Sequence, residues 1–95
     1  MDQLEFKRRT KEFGTAVIAI ADGLPATRSA EVVSRQLLRS ATSVGANYRA
    51  ACRARSRAEM FAELSIVEEE TDESLYWLEI LEEAGLLRPE QVGPV

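Results

Sequence analysis

The sequence predicts an all-α fold: an up-down antiparallel bundle of three long helices, with the fourth helix truncated or missing. Apolar residues recur at steps of three and four along most of the 95 residues, as they do on the buried side of an amphipathic helix. Residues that cap or end helices divide this pattern into three long segments. No segment shows the alternation of apolar and polar residues that is typical of a β-strand. We therefore expect one helical-bundle domain over residues 1–95.

The first predicted helix covers residues 4–22. Its apolar stripe is formed by Phe6, Thr10, Phe13, Val17 and Ile20. Residues at these steps lie on one side of a helix. Gly23 and Pro25 then break the pattern, and the side chain of Thr27 or Ser29 can cap the next helix by accepting a backbone N–H bond. This short break predicts that the first two helices run antiparallel.

The second predicted helix covers residues 28–54 and is about 40 Å long at a rise of about 1.5 Å per residue. Its apolar face consists of Val33, Leu37, Ala41, Val44, Tyr48 and Ala51. Small residues on or beside this face, such as Gly45, allow a partner helix to approach closely. Ser40 and Asn47 lie at the margin of the face, where a buried polar network is one possibility.

The third predicted helix covers residues 57–84. Ser56 and Glu59 have the spacing of a capping box, in which each side chain accepts the backbone N–H of the other residue. The apolar stripe consists of Met60, Leu64, Val67, Thr71, Leu75, Leu78 and Leu81. Gly85 is expected to end the helix. The short tail, residues 85–95, leaves room for a stub of a fourth helix at most.

Charge is strongly segregated along the chain, although the net charge is only −4. Residues 28–57 contain seven arginines and one acid, whereas residues 59–83 contain ten acids and no base. On a helical wheel of about 100° per residue, the arginines of the second helix fall on one stripe opposite its apolar face. We define the arginine row as Arg28, Arg35, Arg39, Arg49, Arg53 and Arg57. The last of these would join the stripe if the second helix reached it.

Two kinds of anionic partner would suit the arginine row. Arg35 and Arg39 are one turn apart, as are Arg49 and Arg53, and such like-charge pairs cost a few tenths of a kcal/mol each. An anion would relieve this repulsion. The phosphate backbone of RNA or DNA is one candidate, because guanidinium groups bind phosphate in a bidentate way. The alternative is pairing with the protein's own acidic third helix. Between subunits, such pairing would make the protein a structural oligomer.

Three apolar residues of the third helix lie off its predicted core stripe, among the acids. They are Ile66, Trp77 and Ile80. In a monomer of three helices this strip would be exposed to water, which is unfavourable for large apolar side chains. We therefore predict that the strip is a subunit interface or the position of a missing fourth helix.

Residues that carry common catalytic chemistry are scarce. Cys52 is the only cysteine and the chain contains no histidine, which excludes intrachain disulfides, Cys/His zinc sites and Cys–His or Ser–His nucleophile pairs. We expect no enzymatic activity, no metal and no cofactor. No apolar run approaches the roughly 20 residues of a membrane span, and the N-terminus has charges where a signal peptide is apolar. A cytoplasmic protein with no membrane partner is therefore predicted.

Over about residues 6–88 the chain resembles the four-helix bundle proteins, also known as 23S rRNA intervening-sequence proteins. The residues that carry the resemblance are Leu24-Pro25, Gln36-Leu37-Leu38-Arg39-Ser40-Ala41, Ser43-Val44, Asn47 and Glu68-Glu69. The resemblance implies an up-down bundle that assembles into a homopentamer and binds nucleic acid on a basic surface, with no established enzymatic activity. One branch of the family resembles accessory proteins of diversity-generating retroelements, which bind nucleic acid and a reverse transcriptase.

By this resemblance, the nucleic-acid contacts would be Arg35, Arg39, Arg49 and Arg53. Members of the family close the bundle with a full fourth helix, whereas a stub at most is expected here. Either the chain is truncated, or neighbouring subunits cover the strip around Trp77. The sequence thus predicts a non-enzymatic oligomer that binds the phosphate backbone of RNA or DNA with little base specificity.

Overall fold

The structure of the protein is a computed structural model, which describes residues 2–87. It contains three helices: α1 (Gln3–Asp22), α2 (Arg28–Cys52) and α3 (Arg57–Glu83). Within the described range there is no strand. The predicted all-α bundle of three long helices is confirmed, and the observed helix ends lie within two residues of the predicted ones. Residues 88–95, on which the predicted stub falls, lie outside the described part of the chain.

Each helix begins at a side chain that accepts a backbone N–H bond. The acceptors are Asp2, Thr27 and Ser56, which bind the N–H groups of Glu5, Ala30 and Glu59 at 2.8, 3.2 and 3.0 Å. These bonds satisfy donors that a helix leaves unpaired at its start. Only half of the predicted capping box forms. The Glu59 carboxylate accepts the N–H of Arg55 at 3.0 Å, and not that of Ser56, because the turn before α3 directs the Arg55 N–H toward the first turn of the helix.

Gly85 ends α3 as predicted, with a positive φ of 75° that other residues rarely adopt. Its N–H donates to the Glu82 carbonyl at 3.1 Å, and the N–H of Leu86 donates to the Leu81 carbonyl at 2.9 Å. These two bonds form a Schellman motif. The motif turns the chain so that Leu87, after the helix, is buried in the core.

The central helix of the bundle is α2, which packs along α1 on one side and along α3 on the other. Contacts between α1 and α3 are few. The core cluster consists of Val17, Ile20, Leu37, Ala41, Leu78, Leu81 and Leu87. The predicted close approach occurs at Gly45, where an added Cβ atom would lie 3.4 Å from the Thr10 backbone. Since α2 uses its sides to contact both neighbours, its remaining surface is left for the arginine row.

The buried face of α3 differs from the predicted stripe. Leu75 is 48% exposed, although its spacing predicts a core residue, whereas Ser74 is fully buried. The Ser74 hydroxyl oxygen lies 3.0 Å from that of Ser40 on α2, which in turn donates to the Leu37 carbonyl at 3.2 Å. The face of α3 that packs on α2 is therefore rotated toward Ser74 and away from Leu75. Of the two polar residues considered at the margin of α2, only Ser40 takes part, because Asn47 donates to a carbonyl of its own helix.

Candidate nucleic-acid interface

The side chains of the arginine row are all exposed. Four of the six lie on α2, on the side away from its buried residues Leu37, Ala41 and Val44, and Arg53 follows as the C-cap residue of that helix. Arg57 does not extend the row on α2, because that helix ends at Cys52 and Arg57 is the first residue of α3. The amphipathic pattern of α2 therefore places a line of guanidinium groups on the outside of the bundle.

Arg35 is paired with an acid of its own helix. Its Nη1 atom donates to Glu31 Oε1 at 2.6 Å, one turn toward the N-terminus. Both side chains are more than half exposed, at 61% and 70%. Water and salt screen such a pair, so Glu31 is readily exchanged for another anion.

Arg39 is held by α3. Its Nη1 atom lies 3.1 Å from Glu70 Oε2, and its Nη2 atom donates to Glu73 Oε2. The Glu70 side chain is only 18% exposed. Pairing of the arginine row with the acidic third helix, one of the two alternatives that the sequence leaves open, therefore occurs for Arg39 within one chain. We conclude that this arginine fixes α2 against α3 and has less capacity left for phosphate.

A hydrogen-bond network extends from Arg39 to Trp77. The indole Nε1 of Trp77 donates to Glu73 Oε2 at 3.1 Å. This bond and the one from Arg39 lower the pKa of the Glu73 carboxyl, despite some opposing effect of burial. Hydrogen bonds to Glu73 and to Glu70 in turn raise the pKa of Arg39 above its already high ordinary value. The network is therefore charged at neutral pH.

The lowered pKa of Glu73 predicts that its contribution to stability depends on pH. The contribution is complete above the pKa of an unfolded glutamate, about 4.3, and is lost as the pH falls through the lower folded-state pKa. Glu73→Gln keeps an acceptor for Trp77 and removes the charge that faces Arg39. We expect wild type to be more stable than this variant in urea unfolding at neutral pH, with the difference disappearing in acid. The same change at the exposed Glu68 is the control for removing one negative charge from α3. A difference that is constant with pH would contradict the charged network.

The other members of the row have no such partners among the described residues. Arg28, Arg49, Arg53 and Arg57 form no ion pair within residues 2–87. Arg49 and Arg53 are one turn apart at the C-terminal end of α2, so each is in the repulsive field of the other. This end of the row therefore carries positive charge that no described carboxylate neutralises.

The structure brings one further base to this end. Lys11 of α1 and Arg49 of α2 line the same shallow hollow between the helices, which has a volume of about 270 Å³. Lys11 forms no ion pair among the described residues either. Sequence reasoning missed it, because the first 27 residues are balanced in charge. The only signal was a pair of glycines, Gly14 and Gly45, at the position where α1 approaches α2.

The predicted apolar strip on α3 is less exposed than expected. Trp77 is half-buried and packs against the core, and Ile80 is also half-buried, whereas Ile66 is 36% exposed. The prediction that Trp77 is bare in a three-helix chain is wrong, because the rotation of α3 toward Ser74 carries Trp77 to the edge of the core. The large apolar side chains that α3 leaves exposed are Met60, Phe61, Ile66, Leu75 and Tyr76. The assignment of the strip to a subunit interface stays a prediction.

The described residues support neither a metal site nor a membrane-spanning helix. Within the range 2–87, no three Cys, Asp or Glu side chains come together in a way that would hold a metal ion. Over the same residues, no helix combines the length and the apolar character needed to cross a membrane.

Comparisons with known proteins match the resemblance seen in the sequence. A family model described as "23S rRNA-intervening sequence protein" matches residues 2–94. A 1.70 Å crystal structure from Bacteroides thetaiotaomicron, of a protein of unknown function from the S23 ribosomal protein family, is similar with a TM-score of 0.83 and 38% identity. The match covers 90% of this chain and 79% of that one. No curated relative matches the sequence. Neither description names an enzymatic activity, and the chain belongs to the 23S rRNA-intervening sequence protein family.

Proposed function

We propose that this protein is a non-enzymatic, oligomeric nucleic-acid-binding protein that contacts the phosphate backbone of RNA or DNA through the arginine row. The observation that carries the proposal is the C-terminal end of α2. There Arg49 and Arg53 are exposed and form no ion pair within the described residues, and Lys11 lies across the hollow from Arg49. Uncompensated charge of this kind binds polyanions through the release of their counterions.

The dimensions of the row suit a duplex. From Arg28 to Arg53, the residue that follows α2, the row extends about 38 Å at about 1.5 Å per residue. One turn of duplex DNA is about 34–36 Å long. A duplex lying along α2 would therefore present phosphates to both ends of the row. The acids of α3 would repel the same duplex, so the binding surface is limited to the side of the bundle formed by α2 and α1.

Contacts to the bases of a duplex along the row are expected to contribute little. The side-chain amide of Asn47 donates to the Ser43 carbonyl at 2.9 Å and is thus already engaged. The Tyr48 ring packs edge-to-face on Phe6, with 4.6 Å between ring centroids. Phosphate contacts position a protein on a duplex but carry no sequence information. Binding along the row should therefore discriminate little between sequences.

Subunit association is the second part of the proposal. Exposed apolar side chains on α3, including Phe61 at 57% and Tyr76 at 53%, support a contact between copies of the chain. The family resemblance implies a homopentamer, and for one branch a reverse transcriptase partner. The rival function is a structural oligomer in which the row meets the acidic helix of another subunit. The pairing of Arg39 with Glu70 and Glu73 shows that this chemistry is available to the sequence.

Light-scattering mass, measured with and without a short RNA duplex at low and at moderately high salt, tests the proposal. We expect an oligomer whose mass rises with RNA at low salt and returns to the RNA-free value at high salt, because phosphate contacts are salt-dependent. An oligomer that is indifferent to RNA but dissociates in salt would favour the structural alternative. A monomer at every salt concentration would contradict the subunit part of the proposal.

A further inference from the structure

A cleft with a volume of about 410 Å³ lies at the end of the bundle where the chain passes from α2 to α3. It is lined by the last turn of α2, the connecting turn and the first two turns of α3, with Gln3 contributing from α1. Its volume is within the range of about 300–1,000 Å³ that is typical of sites for small ligands. This is room for one nucleotide, but not for a duplex.

The floor of the cleft is apolar. Tyr48 and Ala51 line it from α2, and Met60 and Leu64 line it from α3. By spacing, the two α3 residues continue the core stripe of their helix, yet Met60 is 36% exposed and the first buried residue of α3 is Val67. The first turns of α3 thus carry apolar side chains that the other helices do not fully cover. A planar apolar group would complete their packing.

The rim of the cleft is positively charged. Arg55 and Arg57 line it from either side of Ser56, and neither forms an ion pair with a described residue. Both side chains are exposed. Arg53, the C-cap residue of α2, lies two residues before Arg55, and Arg57 is itself a member of the row. The cleft is therefore continuous with the unpaired end of the row.

An apolar floor beneath an arginine rim suits a nucleotide better than other anions. Unpaired bases pack their flat faces on apolar and aromatic side chains, whereas guanidinium groups bind the phosphate. A base within a duplex is stacked between its neighbours and cannot reach such a floor. We propose that the cleft binds an unpaired nucleotide at the end of a nucleic acid held by the arginine row, so that the protein prefers a duplex with a single-stranded overhang. This inference rests on the proposed function and names the form of nucleic acid that the site takes.

Affinity for two RNA duplexes tests the preference. The duplexes carry the same number of phosphates, and one is blunt while the other has a three-nucleotide overhang. Fluorescence anisotropy should show tighter binding of the overhang by about tenfold, the effect expected from packing one base on the protein. Equal affinities would overturn the inference and leave the proposed function intact. Failure of both duplexes to bind would overturn this inference and the proposed function. Binding of the overhang duplex alone would support the nucleotide site in the cleft and contradict the proposal that the arginine row binds a blunt duplex.

A matched pair of variants locates the effect. Met60→Glu places a negative charge in the cleft at a partly exposed position. It should abolish the advantage of the overhang and leave blunt-duplex affinity within about twofold. Ala62→Glu makes the same charge change two residues away on α3, at an exposed position that does not line the cleft. If both variants lose the advantage equally, the cleft is not the site.

The reactivity of the only cysteine can report whether the cleft of the wild-type protein is occupied. Cys52 is half-buried and lines the cleft, so a bound nucleotide should shield its thiol. We expect the overhang duplex to slow the reaction of Cys52 with a coloured disulfide reagent several-fold, and the blunt duplex to leave the rate unchanged. Equal protection by both duplexes would overturn the inference. A mononucleotide at the same phosphate concentration could protect Cys52 as strongly as the overhang duplex does. That result would overturn the inference and assign the cleft to free nucleotides.

Discussion

Replacing Arg49 and Arg53 together by glutamine is expected to weaken the binding of a blunt RNA duplex at least about tenfold at low salt. The slope of the logarithm of affinity against the logarithm of salt concentration should fall by about two, since each phosphate contact contributes about 0.9. Glutamine keeps helix propensity and removes only the charge. Because neither arginine has an ion-pair partner among the described residues, the helical fold should be unchanged by circular dichroism.

The control for this variant is Arg8→Gln with Arg9→Gln on α1. It changes the net charge by the same amount, but Arg8 is paired with Glu5 and Glu12 and Arg9 with Glu5. We expect it to alter duplex affinity by less than about twofold. Equal losses in the two variants would mean that the net charge of the protein governs binding, and the arginine row would then have no special role.

The same double variant at positions 49 and 53 separates the two proposed functions. If these arginines bind phosphate, the mass of the RNA-free oligomer should be unchanged by their replacement. If they bind acids of another subunit, the oligomer should dissociate, because an interface that loses one partner of each ion pair is left with unpaired carboxylates. Light scattering on the RNA-free variant distinguishes these outcomes.

Local signals in the sequence were sufficient for the helices. Capping at Ser56 and the stop at Gly85 depend on residues within one turn of each helix end, and such signals can be read without knowing the fold. For α2 they indicate a cap at Thr27 or Ser29, and the structure has Thr27. The outward direction of the arginine row follows in the same way from the period of α2.

Features that depend on two helices at once could not be read in this way. The rotation of α3 brings Ser74 against Ser40, residues that are 34 positions apart, and a wheel drawn for one helix does not contain that contact. The same rotation leaves Trp77 half-buried and Leu75 exposed. Likewise, nothing local predicts that Arg39 meets Glu70 and Glu73, whereas its neighbours in the row stay outside the helix interface.

Substitution of Leu37 by alanine is expected to have the largest effect on stability. Leu37 is fully buried at the centre of α2, in the cluster that α1 and α3 both join. Removing a buried leucine side chain forfeits its transfer free energy and leaves a cavity, at a cost of about 2–5 kcal/mol. The whole free energy of unfolding of a small domain is about 5–15 kcal/mol. We therefore expect a large fall in the midpoint of urea unfolding at fixed protein concentration.

Val32→Ala is the matched control, since Val32 lies on the same helix but is 47% exposed. Alanine has the higher helix propensity, so this variant should be within about 0.5 kcal/mol of wild type. Because α1 and α3 contact each other little, the bundle depends on what α2 buries on both sides. A loss of less than about 1 kcal/mol for Leu37→Ala would therefore mean that contacts between subunits, rather than the core around α2, hold the three helices together.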